Sequence, residues 1–383
     1  MPDNALGIIT QYIERTFSDG LALNTSETQR DHRSFMIGAA RHRGLGIKNL
    51  GRDHIAFLDE GWAIAGMYKN VTSLVSHAAL SVANSKKLTR ELYTQAGLPI
   101  PAERSFARDH FDEALEYFEH RQGPFVVKPA AAKTSVVTHV HTTAQFRQAW
   151  SRAVTAARPK HRIVVEELVS GLNIRAFVVE DRVVASVVRL PPFVIGNGTD
   201  SLSTLIEAKT ALRAGHPYLQ RMPIQVDTTV LAQQNITYTS VPSDGAVVVL
   251  NESVSLYDGG EPMDVTHDVH PELQQLAIQS AQAIPGMTVA GINLIVKDPT
   301  VPDDAVVLQP NVAANIALHH APAYGKSVDV AGAIVTQMMR NSPRPPKSDR
   351  RSGGTRVSTW KTRTKQIGNR IGESFNPPPR TAY

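Results

Sequence analysis

The chain contains the run Ala290-Gly291-Ile292-Asn293-Leu294-Ile295-Val296, followed after a polar interval by Val306-Val307-Leu308-Gln309-Pro310-Asn311. Both runs are short, apolar and rich in β-branched residues, so they predict buried, paired strands over 291–296 and 305–308. Amide side chains stand in or directly after these strands, at Asn293, Gln309 and Asn311. A carboxylate and its amide have nearly the same shape, but only the carboxylate neutralises a hard cation such as Mg²⁺. The two runs therefore predict paired, buried strands with amide side chains, which cannot neutralise such a cation as carboxylates would.

The composition is ordinary for a soluble globular protein, with 42% hydrophobic and 20% charged residues. A length of 383 residues suits two or three packed lobes. No apolar run reaches the roughly 20 residues of a membrane helix, and residues 1–20 lack the pattern of a secretory signal. We therefore expect a cytoplasmic protein without a membrane partner. The absence of cysteine excludes disulfides, thiolate zinc sites and cysteine nucleophiles.

The positive charge is concentrated at the C-terminal end of the chain. Residues 341–383 hold ten Lys or Arg residues against Asp349 and Glu373, whereas the net charge of the whole chain is only +5. This basic, Pro-rich segment cannot bury enough apolar surface to fold alone, so we predict a disordered tail over 341–383. A solvated tail is the favoured interpretation, and a docking arm for an acidic partner or nucleic acid is the alternative.

The remaining periodicity predicts a mixture of helices and antiparallel strands. Helices are predicted over 86–93, 143–157, 200–213, 271–284 and 328–339, and further strands over 125–129, 162–167, 175–179 and 183–189. The last two strands form a hairpin around Glu180-Asp181-Arg182, which argues against a purely parallel sheet. The fold class is therefore α/β in the broad sense, of the α+β kind.

Several charged residues lie at the ends of these elements. Lys86 begins a helix and Lys128 ends a strand, and two lysines converging on one cleft would suit a polyphosphate. Glu166 and Glu167 end an apolar strand, where backbone groups and carboxylates could bind the edge of an adenine. Arg175 and Arg189 lie on successive strands, where a guanidinium could reach an anion.

The order of these motifs resembles the ATP-grasp superfamily, in the type of cyanophycin synthetase and the ligase module of bifunctional glutathione synthetases. The resemblance covers about residues 60–340. It rests on the segments Asn84 to Pro101, Val126 to Pro129, Val165 to Arg175, Val188 to Gly198, Leu202 to Glu207, Gly259-Gly260, Asp264 to Thr266, His270-Pro271 and Gln309 to Lys326.

The resemblance implies an ATP-grasp fold with a nucleotide cleft between two α+β lobes, together with an N-terminal lobe. The expected divisions are an N-terminal lobe at 1–85, a small lobe at 86–180, a C-terminal lobe at 181–340 and the tail. The implied activity is that of an ATP-dependent carboxylate–amine ligase acting through an acyl phosphate. ATP, Mg²⁺, a small carboxylate and an amine are the implied ligands, and a homo-oligomer is expected.

The resemblance also assigns roles to individual residues. Lys86 and Lys128, with partial help from Lys133, would bind phosphates. The adenine and ribose would be bound by Glu166, Glu167, Val169 and Asn173. Arg175 and Arg189 would be catalytic, facing the reacting phosphate and carboxylate. The metal positions would be occupied by Asn293, Gln309 and Asn311.

The departures from the resemblance are concentrated at these positions. The family's metal trio is Asp, Glu and Asn, so two negative charges are missing here. Its glycine-rich phosphate loop is replaced by Ala130-Ala131-Ala132-Lys133-Thr134-Ser135, whose backbone approaches phosphate less easily. Tyr257 stands where the family has a small polar residue and is predicted to fill vacated phosphate space.

Three functions remain open from the sequence. The first is a working ligase with an altered metal site. The second is a catalytically impaired ATP-grasp pseudoenzyme that serves as a regulatory or scaffold subunit, with an intact ATP-grasp protein as partner. The third, binding of nucleic acid through the tail, is not expected, because no nucleic-acid-reading motif is present. His319 and His320 lack metal-ligand spacing, with one predicted to face the cleft and the other to pack, and Asp264 and Thr266 are predicted to cap a turn.

Overall fold

The apolar runs form antiparallel sheets in a computed structural model of the protein, which describes residues 5–18, 20–25, 31–121, 123–130, 137–158 and 160–342. The side chains of residues 137–139 are outside this description. Lys133 and nearly all of the predicted tail lie outside the described residues. Within these ranges, no helix has the length and apolar character needed to cross a bilayer.

The N-terminal part consists of helices around a small meander. Its helices are α1 Ala5–Phe17, α2 His32–His42 and α3 His77–Ala83, and its strands are β1 Gly46–Asn49, β2 His54–Asp59, β3 Trp62–Tyr68 and β4 Val71–Thr72. The four strands pair in sequence order. Asp31 caps α2 because its side chain accepts a hydrogen bond from the Ser34 backbone at 2.7 Å.

The second part is a four-stranded sheet with an aromatic core. Its strands are β5 Glu103–Phe106, β6 Phe125–Pro129, β7 Val137–Val140 and β8 Ile163–Glu167, in the order β5-β8-β6-β7, and its helices are α4 Lys86–Gln95, α5 Phe111–Glu119 and α6 Thr143–Ala156. Phe106, Phe118 and Phe146 pack in its core. A capping box between Thr142 and Gln145 begins α6.

The third part is built on a five-stranded central sheet. Its strands are β9 Leu172–Val179, β10 Arg182–Leu190, β13 Glu261–Asp264, β14 Val289–Val296 and β15 Val306–Val307, in the order β13-β10-β9-β14-β15. A two-stranded sheet pairs β11 Phe193–Ile195 with β12 Val247–Val249. The helices of this part are α7 Leu202–Arg213, α8 Thr228–Gln233, α9 Pro271–Gln282, α10 Ala317–His320 and α11 Val330–Arg340, with 3₁₀ turns at Leu219–Arg221 and Leu256–Asp258.

The two faces of the central sheet have different surroundings. Side chains alternate along a strand, so Ile174, Ala176 and Val178 of β9 point into one core, which also includes residues of α1 and α9. On the other face, Phe177 and Val179 pack with residues of α2 and α11. The same face becomes polar toward the beginning of β9, where Asn173 and Arg175 lie. This polar end of the face forms the floor of the candidate site.

The helices and strands predicted from periodicity are confirmed within a few residues. The hairpin predicted around Glu180-Asp181-Arg182 is formed by β9 and β10, with Glu180 in the left-handed region at φ 61°. Both strands belong to the central sheet, so the predicted lobe boundary between residues 180 and 181 falls inside one hairpin. The division into lobes stays a prediction.

Candidate functional site

Strand register brings four of the predicted site residues together on one face of the central sheet. Arg175 on β9 is directly opposite Asn293 on β14, and Asn173 is directly opposite Arg189 on β10. Residues opposite one another, and residues two apart on one strand, share a face. Asn173, Arg175, Arg189 and Asn293 therefore form a continuous polar cluster, which we call the cleft floor.

Each arginine of the cleft floor is held by an amide oxygen. Arg175 Nε donates a hydrogen bond to Asn293 Oδ1 at 3.1 Å. Arg189 donates from Nε and Nη2 to Asn173 Oδ1, at 2.9 Å and 2.6 Å. Asn173, predicted to bind a ribose, thus uses its amide oxygen to orient a guanidinium.

The side chain of Arg175 is buried and that of Arg189 is half-buried, and neither has a carboxylate partner among the described residues. Arg175 is only 8% exposed, and burial lowers its pKa to about 10. Burial and then the charge of Arg175 lower the pKa of Arg189 to about 9. In the part of the chain that the structure describes, neither arginine forms an ion pair. Both remain cationic at neutral pH because these pKa values are well above 7.

The predicted metal residues are engaged in hydrogen bonds with the protein. Asn293 Nδ2 donates to the Gln309 backbone oxygen at 3.1 Å, and Gln309 Nε2 donates to the Ala83 oxygen at 2.5 Å. Asn311 Oδ1 accepts from the Ala313 backbone at 3.0 Å, while its own backbone pairs with Gly291. The amides therefore fix the local geometry of β14 and of the segment after β15.

This arrangement does not fit Mg²⁺. The ion requires near-octahedral oxygen ligands and is usually bound through at least one carboxylate. Here the trio carries no charge, and Asn293 Oδ1 already accepts from a guanidinium. No group of three or more His, Asp or Glu residues suited to a metal occurs among the described residues. The Mg²⁺ assignment therefore has no support from the donor set.

A close approach at Gly291 lets Arg175 lie against β14. A Cβ atom at Gly291 would come within 2.8 Å of Ala314 Cβ and 3.3 Å of Arg175 Cδ. A contact as short as 2.8 Å would force a shift of the backbone or of its neighbours. The glycine is thus required by packing, although the sequence alone indicated only a strand at this position.

The two predicted phosphate lysines lie close together beside the inner strand β6 of the second sheet. Lys128, the penultimate residue of β6, forms an ion pair with Glu166 on the adjacent strand β8. Burial and then the charge of Lys86 lower the pKa of Lys128 to about 8, so Lys86 at the start of α4 is near it. A lysine with this pKa is still mainly protonated at pH 7 and can attract an anion.

The segment predicted to bind adenine is already partly engaged. The Glu167 backbone N–H donates to Ala102 and that of Leu168 donates to Pro124, both at 2.8 Å. Glu166 is paired with Lys128, and Val169 follows as a half-buried residue. Their roles toward a nucleotide stay predictions, with the Glu166 carboxylate available only if its pairing with Lys128 changes.

Two further sequence predictions concern a turn cap at Asp264 and Thr266 and the side chain of Tyr257. Thr266 Oγ1 donates to Asp264 Oδ1 at 2.6 Å, and the Thr266 backbone N–H donates to the same oxygen at 3.2 Å, which confirms a turn cap. Tyr257 is 76% exposed, so the prediction that its side chain fills vacated space is wrong. Its 3₁₀ turn directs the ring to solvent instead of into a packed cavity.

His319 is a buried neighbour of the cleft floor. Its ring packs edge-on against Phe177, with centroids 5.6 Å apart, and neither ring nitrogen has a hydrogen-bond partner among the described residues. Burial and then the charge of Arg175 lower its pKa to about 3, so the ring is neutral. His320 instead stacks on Phe35, with ring centroids 4.0 Å apart, and only 9% of its side chain is exposed. That one of the two histidines faces the cleft and the other packs stays a prediction.

Comparisons with known proteins place this geometry in context. No protein-family model matches the chain. Cyanophycin synthetase of Trichormus variabilis is 28% identical over 354 residues, covering 88% of this chain and 38% of that protein. The bifunctional glutathione biosynthesis protein of Streptococcus agalactiae is 28% identical over 257 residues, covering 64% of this chain and 32% of that protein. The chain thus spans well under half the length of these curated relatives.

The structural comparison agrees with the sequence comparison. The crystal structure of a bifunctional glutathione synthetase from Pasteurella multocida matches with a TM-score of 0.64 at 20% identity, covering 86% of this chain and 45% of that one. At this identity the match establishes the fold. It agrees with the mixture of helices and antiparallel sheets described above. The chain has an α+β ATP-grasp fold, and its sequence is similar to those of cyanophycin synthetase and the bifunctional glutathione biosynthesis protein.

Proposed function

We propose that the chain is an ATP-dependent carboxylate–amine ligase module that acts through an acyl phosphate. The observation that carries this proposal is the presence of two pairs of neighbouring cations on two sheets that follow one another in the chain. Lys86 and Lys128 lie beside strand β6 of the second sheet, and Arg175 and Arg189 lie on the cleft floor of the central sheet. Strand β8, which carries Glu166, the partner of Lys128, is joined to β9, which carries Arg175, by residues 168–171 alone.

The connection itself is tightly packed. Gly171 has a φ of 156°, and a Cβ atom there would come within 2.6 Å of the Val296 backbone oxygen. Only a glycine allows β9 to start so close to the end of β14. This packing fixes where β9 begins relative to β14, and two pairs of cations on successive sheets would suit an extended anion such as a triphosphate.

The proposed reaction has two chemical steps, and the cations would neutralise the charge of the phosphate groups. A substrate carboxylate oxygen attacks the γ-phosphorus of ATP, the bond from that phosphorus to the β–γ bridging oxygen breaks, and ADP leaves. The amine nitrogen then attacks the acyl carbon, inorganic phosphate leaves with the bonding electrons, and the nitrogen loses a proton to solvent. Phosphoryl transfer depends mainly on positioning and on neutralising phosphate charge, which Lys128 and the two arginines can supply.

ATP binding is the first test of this proposal. Calorimetric titration should give binding that weakens at least about tenfold in Lys128→Met, because one charge-assisted contact is lost. Lys160→Met is the matched control, since Lys160 is an exposed lysine that is not one of the four proposed cations. No detectable ATP binding, or equal weakening in both variants, would contradict the proposal.

Turnover is the second test. With hydroxylamine as a surrogate amine and the common amino acids as carboxylates, an acyl phosphate would be trapped as a hydroxamate, with stoichiometric release of ADP. ATP binding without any hydroxamate is the result expected for the alternative, an impaired subunit working with an intact ATP-grasp partner. That partner, a homo-oligomeric state and a cytoplasmic location stay predictions.

A further inference from the structure

We propose that the cleft floor binds the phosphate groups of the nucleotide without a divalent cation, and that Arg175 and Arg189 supply the positive charge in its place. The inference rests on the nucleotide binding proposed above. The groups that the cleft floor would contact are the phosphates, so a free polyphosphate should bind there as well. It starts from the mismatch between the amide trio and Mg²⁺.

The charge of the cleft floor is the first argument. A buried guanidinium group, that of Arg175, lies near a half-buried one, that of Arg189, and their partners Asn293 and Asn173 are neutral. The attraction or repulsion between unit charges a few ångströms apart is several kcal/mol at the effective dielectric constant of about 20 found near protein surfaces. Mg²⁺ would be repelled by both arginines, whereas a phosphate group would be attracted by both.

The hydrogen bonds of the arginines are the second argument. Arg175 uses Nε at Asn293, and Arg189 uses Nε and Nη2 at Asn173. Among the described residues, the two Nη groups of Arg175 and Nη1 of Arg189 donate to no other side chain or backbone oxygen. A guanidinium has five N–H donors in a planar fork that matches phosphate oxygens. The cleft floor therefore offers oriented donors as well as charge.

The amide side chains of the cleft floor have a function in this arrangement, which is to orient the guanidinium groups. A carboxylate at position 293 would hold Arg175 in the same place but would neutralise it. Asn293 holds it by the same type of oxygen without changing its charge. The amides therefore preserve the geometry of the guanidinium groups and leave their charge available for an anion.

Binding of tripolyphosphate measured by calorimetry, in EDTA and in excess Mg²⁺, tests the inference directly. We expect binding in EDTA that Mg²⁺ does not strengthen, and a loss of about tenfold or more in Arg189→Met, the energy of one charge-assisted contact. Lys160→Met should bind as the wild type does. Binding that requires Mg²⁺, or that is unaffected by Arg189→Met, would overturn the inference.

Restoring the carboxylates tests it from the opposite side. Asn293→Asp/Gln309→Glu should weaken tripolyphosphate binding in EDTA by about tenfold or more and should make it Mg²⁺-dependent. Asn293→Asp alone is the second variant, in case the double variant does not fold, and circular dichroism checks both. Unchanged binding in EDTA in a folded variant would refute the role assigned to the amides.

A parallel titration with ATP separates this inference from the proposed function. Tripolyphosphate binding in EDTA, with ATP binding no more tightly, would refute the nucleotide assignment and support the metal-independent site. ATP binding that appears only with Mg²⁺ would support the nucleotide assignment and refute the metal-independent site.

Discussion

Buried cations occur at two places near the central sheet, and their partners differ. At the start of β13, the buried Glu261 pairs with Arg213 Nη1 at 2.5 Å and Lys209 Nζ at 3.0 Å, and the Tyr324 hydroxyl donates to it at 2.6 Å. On the cleft floor, the partners of Arg175 and Arg189 among the described residues are the amides of Asn293 and Asn173. We call the first group the Glu261 cluster.

The difference in partners indicates which cations stabilise the fold and which are available to bind an anionic ligand. In the Glu261 cluster, the carboxylate compensates the cations, and Lys209 Nζ also lies 4.3 Å from the centre of the Phe193 ring. Burial lowers the pKa of Lys209, and Glu261 opposes this change. The cleft floor has no such compensation, which is costly in a folded protein unless an anion completes the site.

Among the variants that test this comparison, Glu261→Gln should cause the largest loss of stability. Removing one partner of a buried ion pair leaves the charges of Lys209 and Arg213 uncompensated, and we expect a loss of about 3–5 kcal/mol in the free energy of unfolding. Urea denaturation measures this loss. Glu207→Gln, an exposed carboxylate on the same helix α7 as Lys209 and Arg213, should change stability by less than about 0.5 kcal/mol. Equal stability of the two variants would show that the Glu261 cluster is not structural.

Lys128 is an intermediate case, since it has both a carboxylate partner and a neighbouring cation. Its pKa of about 8 lies below the ordinary value for lysine, so it is mainly charged at pH 7 and mainly neutral at pH 9. Affinity for tripolyphosphate should therefore fall as the pH rises through 8, by about fivefold, the effect of one contact worth on the order of 1 kcal/mol. Lys128→Arg stays charged over this range and should lose the decrease. The same pH slope in both proteins would exclude Lys128 as its source.

Arg189→Met/Asn173→Leu should have the smallest effect on stability. It removes an uncompensated charge together with the amide that holds it, and replacing both partners by apolar groups is often nearly neutral. We expect a free energy of unfolding within about 1 kcal/mol of the wild type, alongside weakened binding of tripolyphosphate. The single variant Arg189→Met would leave Asn173 Oδ1 without its donor and is the appropriate control. A loss of about 3 kcal/mol or more in the double variant would make Arg189 a structural cation like Arg213.

Local patterns predicted most of the elements because the features that define them lie close together in the chain. The strand 125–129 and the helix 143–157 were predicted within one residue at each end. Lys86 and Lys128 were predicted to converge, and the structure brings them together beside the inner strand β6. Tyr257 was misinterpreted because a residue type alone does not tell whether its side chain points into a cleft or to solvent.

The sequence by itself determined the α+β class, the order of the elements and the presence of amides at the ends of two buried strands. These properties depend on local periodicity and on side-chain chemistry. Only the tertiary structure decided that Asn293 and Asn173 hold two guanidinium groups, and that Glu261 compensates Lys209 and Arg213. The physical reason is that strand register joins residues more than a hundred positions apart, such as Arg175 and Asn293, and sets which charges share a low-dielectric space.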